Sequence, residues 1–492
     1  ASAAVNAIDD VVKTLTGKEI ENFDTKVYLE DKNTAFDQFL SQRLKTRLPM
    51  AAVTTASDAI TAAVPVFDEK ITIPWEVTEF RDKFKSDVLP GWADASGKFI
   101  EPKPPVKDGK ELVSFGPLPK DWAKWRGLYV NGKQVVLSYT VGKVGVLELP
   151  GFDAASGAFT RTIHFEGPAP ALTLLLFQPP AGLFNVNGYA IDGAKFERTT
   201  EGYIVMRIPA QTQAKTFQVA MWFGEKATPA TAASYKAVIP DLPALTKGGA
   251  PQWNPVIETA GVLGKGDAPY VVDTLTLPDG PANPWHSWIR TSGVDFFADA
   301  SKAALCSVNG DVWIVSDIDE SLAHLKWKRF ATGLFQPLGL KIVGEKIYVL
   351  GRDQITRLHD LNGDGEADFY ENFNNDVAIS SHYHEFCLGL ETDRAGNFYF
   401  NKGGNLGPAK HPHHGVLARV SPDGARLDVV ATGYRAPNGL SVGPNDELTS
   451  SDNEGNWVPS SRVNLMKPGG FYGHVHTAHA SVPPTDYDTP LL

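Results

Sequence analysis

The sequence predicts a mainly β protein in which a β-sandwich-like domain precedes the blades of a β-propeller. Three observations predict this architecture. Glycine (45) and proline (35) are frequent while methionine is rare (4), which indicates many turns. Short apolar strands alternate with turn signals from about residue 86 onward. From about residue 266 the sequence repeats with a period of about fifty residues and about four strands per repeat, which is typical of propeller blades.

Composition and charge exclude several classes of function. The 492 residues carry a net charge of −11 at pH 7, and no basic run is longer than two residues, which argues against a nucleic-acid or anionic membrane surface. No apolar stretch of ~18 residues is present, so no transmembrane segment is predicted. Cys306 and Cys387 lack a CxxC motif, which favours two buried thiols over a disulfide framework.

Three segments are predicted before the repeat. Residues 1–85 carry apolar residues at helical spacing and are expected to be partly helical. Residues 86–224 contain regularly spaced strands and are expected to form a β-sandwich-like accessory domain. Within it, Asn131 and Gly132 are predicted to form the two-residue turn of a hairpin. Residues 225–265, rich in Ala, Pro, Gly and Thr, have the composition of a linker.

The repeat that predicts the propeller occupies residues 266–492. A Gly-Leu pair recurs at residues 339, 389 and 439, and each pair opens a predicted inner strand. About four blades fit into this stretch. Because an open ring leaves strand edges unpaired, we expect the rest of the ring on sequence beyond this chain or on a partner chain.

The stretch ITRLHDLNGDGEADFYE, residues 355–371, matches a twelve-residue calcium loop. Gly365 permits the sharp turn that such a loop needs. The flanking residues are predicted strands, so we expect the loop on a β-hairpin, where it fixes the geometry of a blade. The alternative is a polar turn rich in Asn, Asp and Gly. The predicted calcium ligands are Asp360, Asn362, Asp364, the main-chain carbonyl of Glu366, Asp368 and Glu371.

Eight of the twelve histidines follow residue 380. His384 precedes an inner strand, where the loops of a propeller face its central channel, and it is the candidate base, with Tyr383 beside it and Glu385 setting its proton state. The alternative for His384 is a packed, hydrogen-bonded side chain. Two further groups lie on Gly/Pro-rich loops: His411, His413 and His414, and His474, His476 and His479.

These two loop groups would bind zinc, copper or iron if they met in space. Neither group has a carboxylate or cysteine at ligand spacing, so solvent-exposed loop histidines are expected instead. Arg435 occupies the repeat position equivalent to Glu385. An arginine at a position where the repeats differ can clamp an anion or a carbonyl, and the alternative is a salt bridge to a nearby acid.

Several stretches resemble one known group of proteins. The stretches QPLGLKIVGEKIYVLGRDQITRLHDLNGDGEADFYENFN, HEFCLGLETDRAGNFYF and GYRAPNGLSVGPNDELTSSDNEGNWVPSSRVNLMKPGGFYGH resemble the sorbosone-dehydrogenase-like β-propellers. These are relatives of the soluble quinoprotein sugar dehydrogenases and are often fused to a c-type haem domain in exported bacterial proteins. The stretch PGWADASGKFIEP with the following FGPLPKDWAKWRGLYVNGKQVVLSYTVG resembles an uncharacterised β-domain upstream in one branch of that group.

The resemblance implies a six-bladed propeller with a polar pocket at its channel. It implies that His384 takes the proton of a sugar hydroxyl as hydride passes to pyrroloquinoline quinone, and that the segment of Arg435 and Asn438 contacts the quinone. It also implies that carbonyls near Gly455 and Asn456 hold a calcium ion beside the cofactor. The sequence departs from the group at residue 436, where alanine replaces a polar contact. A CxxCH motif is missing, so haem c would lie on another segment or a partner.

The leading hypothesis is therefore a calcium-binding propeller oxidoreductase that acts on a carbohydrate hydroxyl or lactol. Its electrons would pass to a quinone or to a cytochrome module or partner. One alternative is a non-catalytic carbohydrate-binding or scaffold propeller, and another is a carbohydrate lyase that uses Tyr383 and His384 with a metal. A periplasmic or otherwise exported location is expected, although no signal peptide is visible, because a calcium loop stays occupied more easily outside the cytosol.

Overall fold

The computed structural model describes residues 92–93, 106–107, 110–111 and 120–492, apart from 122, 178–185, 201, 225–226, 268, 280–282, 287, 380–383, 405–410 and 456–459. The predicted helical segment at residues 1–85 lies outside the described residues. Within them the chain is mainly β, as predicted, and its sheets are antiparallel. No helix in this described part has the length and apolar run needed to cross a lipid bilayer.

The structure describes twelve strands before residue 224, of which ten form two packed layers and the other two form a separate two-stranded sheet. Apolar side chains from both layers, among them Ile163, Leu174, Met206 and Phe217, are almost fully buried in one shared core, and we call these two stacked layers the sandwich. The strands are β1 (Trp92–Ala93), β2 (Val106–Lys107), β3 (Lys110–Glu111), β4 (Ala123–Asn131), β5 (Gln134–Val141), β6 (Val144–Asp153), β7 (Ala158–Phe165), β8 (Leu172–Phe177), β9 (Val186–Ala190), β10 (Lys195–Arg198), β11 (Ile204–Ile208) and β12 (Lys215–Phe223). One layer has the order β1-β8-β11-β10, and the other contains β4-β5-β6-β7-β12-β9.

The β4–β5 hairpin is present, but its turn lies one residue later than predicted. Asn131 pairs with Gln134, so the turn residues are Gly132 and Lys133. Gly132 has a φ of 58°, a left-handed conformation that glycine adopts without strain. The amide of Asn131 donates instead to the carbonyl of Gly248 at 3.1 Å, which ties the hairpin to the following segment.

The predicted linker, residues 225–265, contains short regular elements. They are α1 (Pro229–Ser234), α2 (Leu242–Leu245) and β13 (Ile257–Thr259). Thr228 and Asp241 cap the two helices, because each side chain accepts a backbone N–H of the first turn. Leu242 packs with Val136 and Leu147, and β13 pairs with a later strand, so the linker is attached to its neighbours rather than extended between them.

Four antiparallel sheets follow, each built from consecutive strands in the manner of a propeller blade. The first strands of the four sheets are neighbours in succession, and the Gly-Leu pairs of the sequence repeat lie in or at these strands. The first sheet comprises β14 (Thr291–Phe296), β15 (Ala303–Ser307), β16 (Val312–Ser316) and β17 (Leu325–Ala331), with β13 at its outer edge. The second comprises β18 (Gly339–Val343), β19 (Lys346–Leu350), β20 (Ile355–His359) and β21 (Phe369–Asn374). The third comprises β22 (Cys387–Thr392), β23 (Phe398–Lys402), β24 (Val416–Val420) and β25 (Leu427–Thr432), and the fourth β26 (Leu440–Val442), β27 (Leu448–Asp452) and β28 (Arg462–Leu465), followed by a 3₁₀ turn at Val475–Thr477.

Consecutive sheets pack through their apolar faces. Cys306 and Leu340 lie between the first and second sheets, and Leu350 and Cys387 lie between the second and third. Both cysteines are buried free thiols, as predicted. Burial raises the pKa of each thiol to about 11, so neither is a reactive thiolate at neutral pH.

The second sheet continues into the sandwich, which the sequence did not predict. Its outer strand β21 pairs with β4 through Phe369 and Tyr129, whose rings stack at 4.2 Å, and the result is one ten-stranded sheet. Gly127 makes the pairing possible, since a Cβ atom there would lie 2.1 Å from the carbonyl oxygen of Tyr370. The predicted division into residues 86–224, 225–265 and 266–492 thus crosses a continuous sheet.

One end of the blade sheets collects the loops that concern function. Because neighbouring strands run antiparallel, the start of the first strand, the end of the second and the start of the third lie together. In the third sheet Cys387 pairs with Lys402, and Lys402 pairs with Val416. In the fourth sheet Asp452 pairs with Arg462. We call this end of the sheets the entry end.

Candidate functional site

A buried carboxylate at the entry end of the third sheet is surrounded by three basic side chains. Glu385 Oε2 lies 2.9 Å from His411 Nε2 and 3.3 Å from Lys402 Nζ, while Glu385 Oε1 contacts His414 Nε2. Glu385, Lys402 and His414 are 0% exposed and His411 is 5% exposed. We call these four residues the Glu385 cluster.

Strand pairing explains how distant residues meet in this cluster. Glu385 precedes β22 and Lys402 ends β23, so the ladder places them side by side, and Lys402 Nζ also donates to the Glu385 carbonyl oxygen at 2.9 Å. The second strand is followed by Gly403, where a Cβ atom would lie 2.5 Å from the carbonyl oxygen of His384. Glycine is therefore required for the loop that carries His411 and His414 to pass this close.

Hydrogen bonds decide the charge state of the cluster. Burial raises the pKa of Glu385, but the hydrogen bonds from His411 and His414 and the charge of Lys402 outweigh it and hold this pKa well below its usual range. Burial lowers the pKa of His411 to about 4. His411 Nδ1 accepts the backbone N–H of His413 at 3.2 Å, so the proton of the neutral ring lies on Nε2 and points to Glu385.

The expectation of solvent-exposed loop histidines is wrong for the loop that carries His411, His413 and His414. His411 and His414 are buried, and their carboxylate partner is Glu385, which lies too far away in sequence to be recognised by spacing. His413 is engaged as well, since its Nδ1 accepts the backbone N–H of Ala378 at 2.8 Å. His479 of the other predicted group joins the same region, with Nε2 at 2.6 Å from the carbonyl oxygen of His414.

His384, the predicted base, lies in a half-buried turn directly before Glu385. Its carbonyl accepts the backbone N–H of Phe386 at 2.9 Å, and the Phe386 carbonyl accepts the N–H of Gly403 at 2.8 Å. The backbone of the predicted base is thereby fixed to the second strand. Its predicted neighbour Tyr383 lies outside the described residues.

Arg435 lies at the entry end of the fourth sheet and forms an ion pair with Glu454, whose side chain is 55% exposed. Its backbone N–H donates to Asp452 at 3.1 Å, and its carbonyl accepts the N–H of Gly404 at 2.8 Å. Asp452 is itself buried and pairs with Arg462 at 2.9 Å. A second buried ion pair therefore positions Arg435 beside the loop that follows Lys402.

The other predicted cofactor residues lie near Arg435. Asn438 is exposed, and its backbone N–H donates to the carbonyl of Ser451 at 3.0 Å. Gly455 lies against the backbone of Gly473, since a Cβ atom at Gly455 would lie 3.2 Å from the Gly473 carbonyl oxygen. Asn456 lies outside the described residues. Arg435, Asn438 and Gly455 thus share the entry end of the fourth sheet.

The entry end of the second sheet adds two charged residues that the sequence did not single out. Arg352 is buried, its guanidinium lies 5.1 Å from the centre of the Phe386 ring, and burial lowers its pKa. Burial raises the pKa of its neighbour Asp353 to about 6. Arg352 and Arg435 thus lie at the entry ends of the two sheets that flank the third sheet.

The predicted calcium loop connects β20 to β21, on a β-hairpin as expected. The carboxylate of Asp360 accepts the backbone N–H groups of residues 363, 364 and 365 at 2.7, 3.2 and 2.8 Å. Asp364 accepts the N–H of Glu366 at 3.0 Å. These are the bonds of Asx-type turns, so the loop holds its shape through its own amides, and calcium binding stays a prediction.

The remaining loop positions contact other parts of the chain. Glu366 is buried and accepts the backbone N–H groups of Gln252 and Trp253 at 2.6 and 2.7 Å. Asp368 accepts the N–H of Gly249 at 3.0 Å, and Asn362 donates to the carbonyl of the same glycine at 2.6 Å. The loop therefore anchors the segment that precedes the first blade sheet.

The twelfth loop position, Glu371, lies in β21 and faces the paired strand. Its carboxylate is 2.6 Å from both Arg357 and His359. Burial raises the pKa of Glu371, but the hydrogen bonds from His359 and Arg357 outweigh it and lower this pKa. A calcium ion would have to compete with these two partners for the carboxylate.

Comparison with known proteins gives one family match. Residues 75–148 match a family described as a domain of unknown function (DUF6797), which overlaps the sandwich as far as β6. No curated protein matches the chain.

Several solved structures are similar to the chain. A glucose dehydrogenase is 16% identical over 38% of this chain and 63% of its own, with a TM-score of 0.31. The PQQ-bound aldose sugar dehydrogenase of Streptomyces coelicolor is 16% identical over 42% of this chain and 67% of its own, with a TM-score of 0.31. A gluconolactonase of Xanthomonas campestris is 15% identical over 38% and 68%, with a TM-score of 0.24. The chain spans less than two thirds of the length of the glucose dehydrogenase.

Proposed function

We propose that this protein is an oxidoreductase that acts on a carbohydrate hydroxyl or lactol, with His384 as the base. One observation carries the proposal: the backbone of His384 is fixed at the entry end, directly before a fully buried and ionised Glu385. A general base works best on a rigid support, and perturbed titratable groups of this kind concentrate at functional sites.

The neighbouring residues are suited to hold a polar substrate or cofactor. Oxidation of a hydroxyl group removes a proton, which His384 accepts, and a hydride, which needs an acceptor. Arg435, Asn438 and Gly455 would hold a quinone of the pyrroloquinoline type, which supplies that acceptor when bound. The fit is supported by the ion pair of Arg435 with Glu454, since an anionic group of a ligand can replace an exposed carboxylate.

Further parts of the proposal concern the setting of the reaction. Electrons would leave through a cytochrome module or partner, and the protein would work outside the cytosol. The loop at residues 360–371 would bind calcium through its oxygen atoms and stabilise the second blade sheet. These points extend the expectations drawn from the sequence.

The test is turnover of a panel of aldoses with an artificial electron acceptor, with pyrroloquinoline quinone and calcium added. His384→Asn should lower kcat by roughly 10²–10⁴-fold, the usual contribution of a general base, without changing the melting temperature. His324→Asn is the matched control, because His324 is exposed and pairs with the surface residue Glu258. Unchanged turnover in His384→Asn would show that the base is another residue.

A second candidate is a metal-assisted carbohydrate lyase, and one observation favours it. Two histidines and a carboxylate converge next to His384, and a metal there would acidify the proton beside a sugar carboxylate. Unsaturated products that absorb in the near ultraviolet, formed without any electron acceptor, would identify this activity and exclude the oxidoreductase.

A further inference from the structure

We propose that Glu385, His411 and His414 bind one divalent transition-metal ion of the zinc and iron(II) class. The site would exist whether or not the protein oxidises carbohydrates. It also differs in kind from the predicted calcium loop, which offers only oxygen atoms.

The ligand atoms support this choice of metal. One carboxylate oxygen and two imidazole nitrogens lie within 4.8 Å of one another, on three buried residues. A pair of histidines with one carboxylate suits zinc or iron(II) and leaves coordination positions open. Calcium and magnesium prefer sites made entirely of oxygen, so they fit this group poorly.

The distances show what binding would change. Metal–ligand bonds of about 2.0–2.2 Å in a tetrahedral site separate neighbouring ligand atoms by about 3.3 Å. The 2.9 Å contact from His411 to Glu385 would therefore widen slightly, and the closer one from His414 would widen by more. The ion would replace the Nε2 protons between the rings and the carboxylate. For His411 the proton would move to Nδ1, so the 3.2 Å hydrogen bond that Nδ1 accepts from the His413 N–H, already at the long limit for such a bond, would have to be lost.

The ligands are held in place by the surrounding chain. The carbonyl of His414 contacts His479 at 2.6 Å, and the backbone N–H of His414 donates to the carbonyl of His411 at 3.3 Å. The rings of His411 and His414 lie 3.7 Å apart. Such support reduces the entropy that a metal site otherwise loses on binding.

In addition to the His413 N–H at His411 Nδ1, Lys402 opposes the ion. Its ammonium group lies 3.3 Å from the same carboxylate, and a like charge at this distance weakens metal binding inside a protein. This opposition makes the proposal testable in two directions. Removal of a ligand should weaken binding, whereas removal of the Lys402 charge should strengthen it.

The experiment measures zinc binding to the full chain by calorimetry after treatment with a chelator, and the visible absorption of the Co²⁺-loaded protein. Wild type should bind one Zn²⁺ per chain, and Co²⁺ should give the bands of a four- or five-coordinate site. Glu385→Gln should weaken the affinity by more than about 100-fold, because it removes a ligand rather than an outer hydrogen bond worth about 10–100-fold. Lys402→Met should tighten the affinity by about tenfold or more, as expected for removal of one nearby charge.

Two controls separate this result from misfolding and from surface binding. Circular dichroism and thermal unfolding establish that each variant is folded. If Glu385→Gln does not fold, the charge-neutral pair Glu385→Gln with Lys402→Met replaces it. The surface pair His324 and Glu258 is the matched site, so Glu258→Gln should leave zinc binding unchanged.

The outcomes are distinct. The site is supported if wild type binds one equivalent of zinc, Glu385→Gln loses this binding and Lys402→Met binds zinc more tightly. No binding at ~0.1 mM zinc, or binding that persists without Glu385, overturns it and leaves the cluster as a proton-linked ion network. Loss of sugar turnover is not a readout here, so failure of this proposal and failure of the proposed oxidoreductase are separately visible.

Discussion

The loop at residues 360–371 and the Glu385 cluster both surround carboxylate groups with hydrogen-bond donors, but they are built in opposite ways. Asp360 and Asp364 are partly exposed and bond to backbone amides within five residues. Glu385 is fully buried and bonds to side chains 17, 26 and 29 residues away. The first arrangement follows from local sequence, whereas the second follows from strand pairing.

This difference sets how much each region should matter for stability. When water replaces one bond between a carboxylate and a local amide in an exposed turn, the free energy of unfolding decreases only a little. A buried ion network loses far more, because removal of one charge leaves the other without a partner in an apolar environment. Each of the following variants tests that contrast.

The largest effect is expected for Glu385→Ala. It leaves the buried Lys402 ammonium without its carboxylate, which should lower the free energy of unfolding by about 3–5 kcal/mol. Urea denaturation measures the change. Glu258→Ala, which removes a surface carboxylate paired with His324, should stay within about 0.5 kcal/mol of wild type. If both variants lowered the free energy of unfolding by similar amounts, the buried network would be no more important for stability than an exposed ion pair.

Glu366→Gln tests the part of the calcium loop that is buried. The substitution removes the negative charge that accepts two backbone N–H groups and the Lys328 ammonium at 3.0 Å. It should cost about 2–3 kcal/mol and should speed limited proteolysis near residues 249–253. The exposed Glu320→Gln serves as control. Equal proteolysis rates would show that Glu366 does not anchor this segment.

Asp353→Asn tests a second carboxylate at the entry end. Asp353 lacks the histidine and lysine donors that surround Glu385. Burial raises its pKa to about 6, above the unfolded value of about 3.9. Its contribution to stability is therefore fully present below about pH 4 and is lost as the pH rises through 6. The variant should match wild type at pH 4 and exceed it by about 1–2 kcal/mol at pH 7. A difference that does not change with pH would disprove the raised pKa.

Calcium addition should have the smallest effect. If the loop binds the ion, tenfold excess over the dissociation constant adds about 1.4 kcal/mol, seen as a higher melting temperature. Asp364→Asn should abolish this gain, while Glu385→Gln should keep it. If calcium does not change the melting temperature of wild type, the loop is a polar turn closed by its own amides and not a calcium site.

The strands and the repeat were predictable because both depend on local periodicity. The hairpin at β4 and β5, the first strands near Gly339 and Gly389, and the hairpin of the calcium loop all follow from residue spacing. The turn lies one residue later than predicted, and Asn131 bonds to Gly248, a contact distant in sequence that residue spacing does not reveal.

The Glu385 cluster was not predicted, although a signal existed. The repeat places residue 385 before a first strand and residues 403–415 between the second and third strands of the same sheet. Antiparallel pairing brings these two positions to one end, so His411 and His414 belong beside Glu385. Ligand spacing along the chain does not reveal this, because the sheet rather than the sequence brings the residues together. No repeat or spacing in the sequence indicated that β4 pairs with β21.

The ten-stranded sheet has a consequence for how this protein meets other chains. An outer blade strand normally offers free N–H and C=O groups to which a peptide or another molecule can add a strand. Here the edge of β21 is occupied by β4, through the pair of Phe369 and Tyr129. Strand addition is therefore closed at the outer edge of the second blade sheet, and cutting the chain between the sandwich and the blade sheets would leave an unpaired strand edge on each fragment.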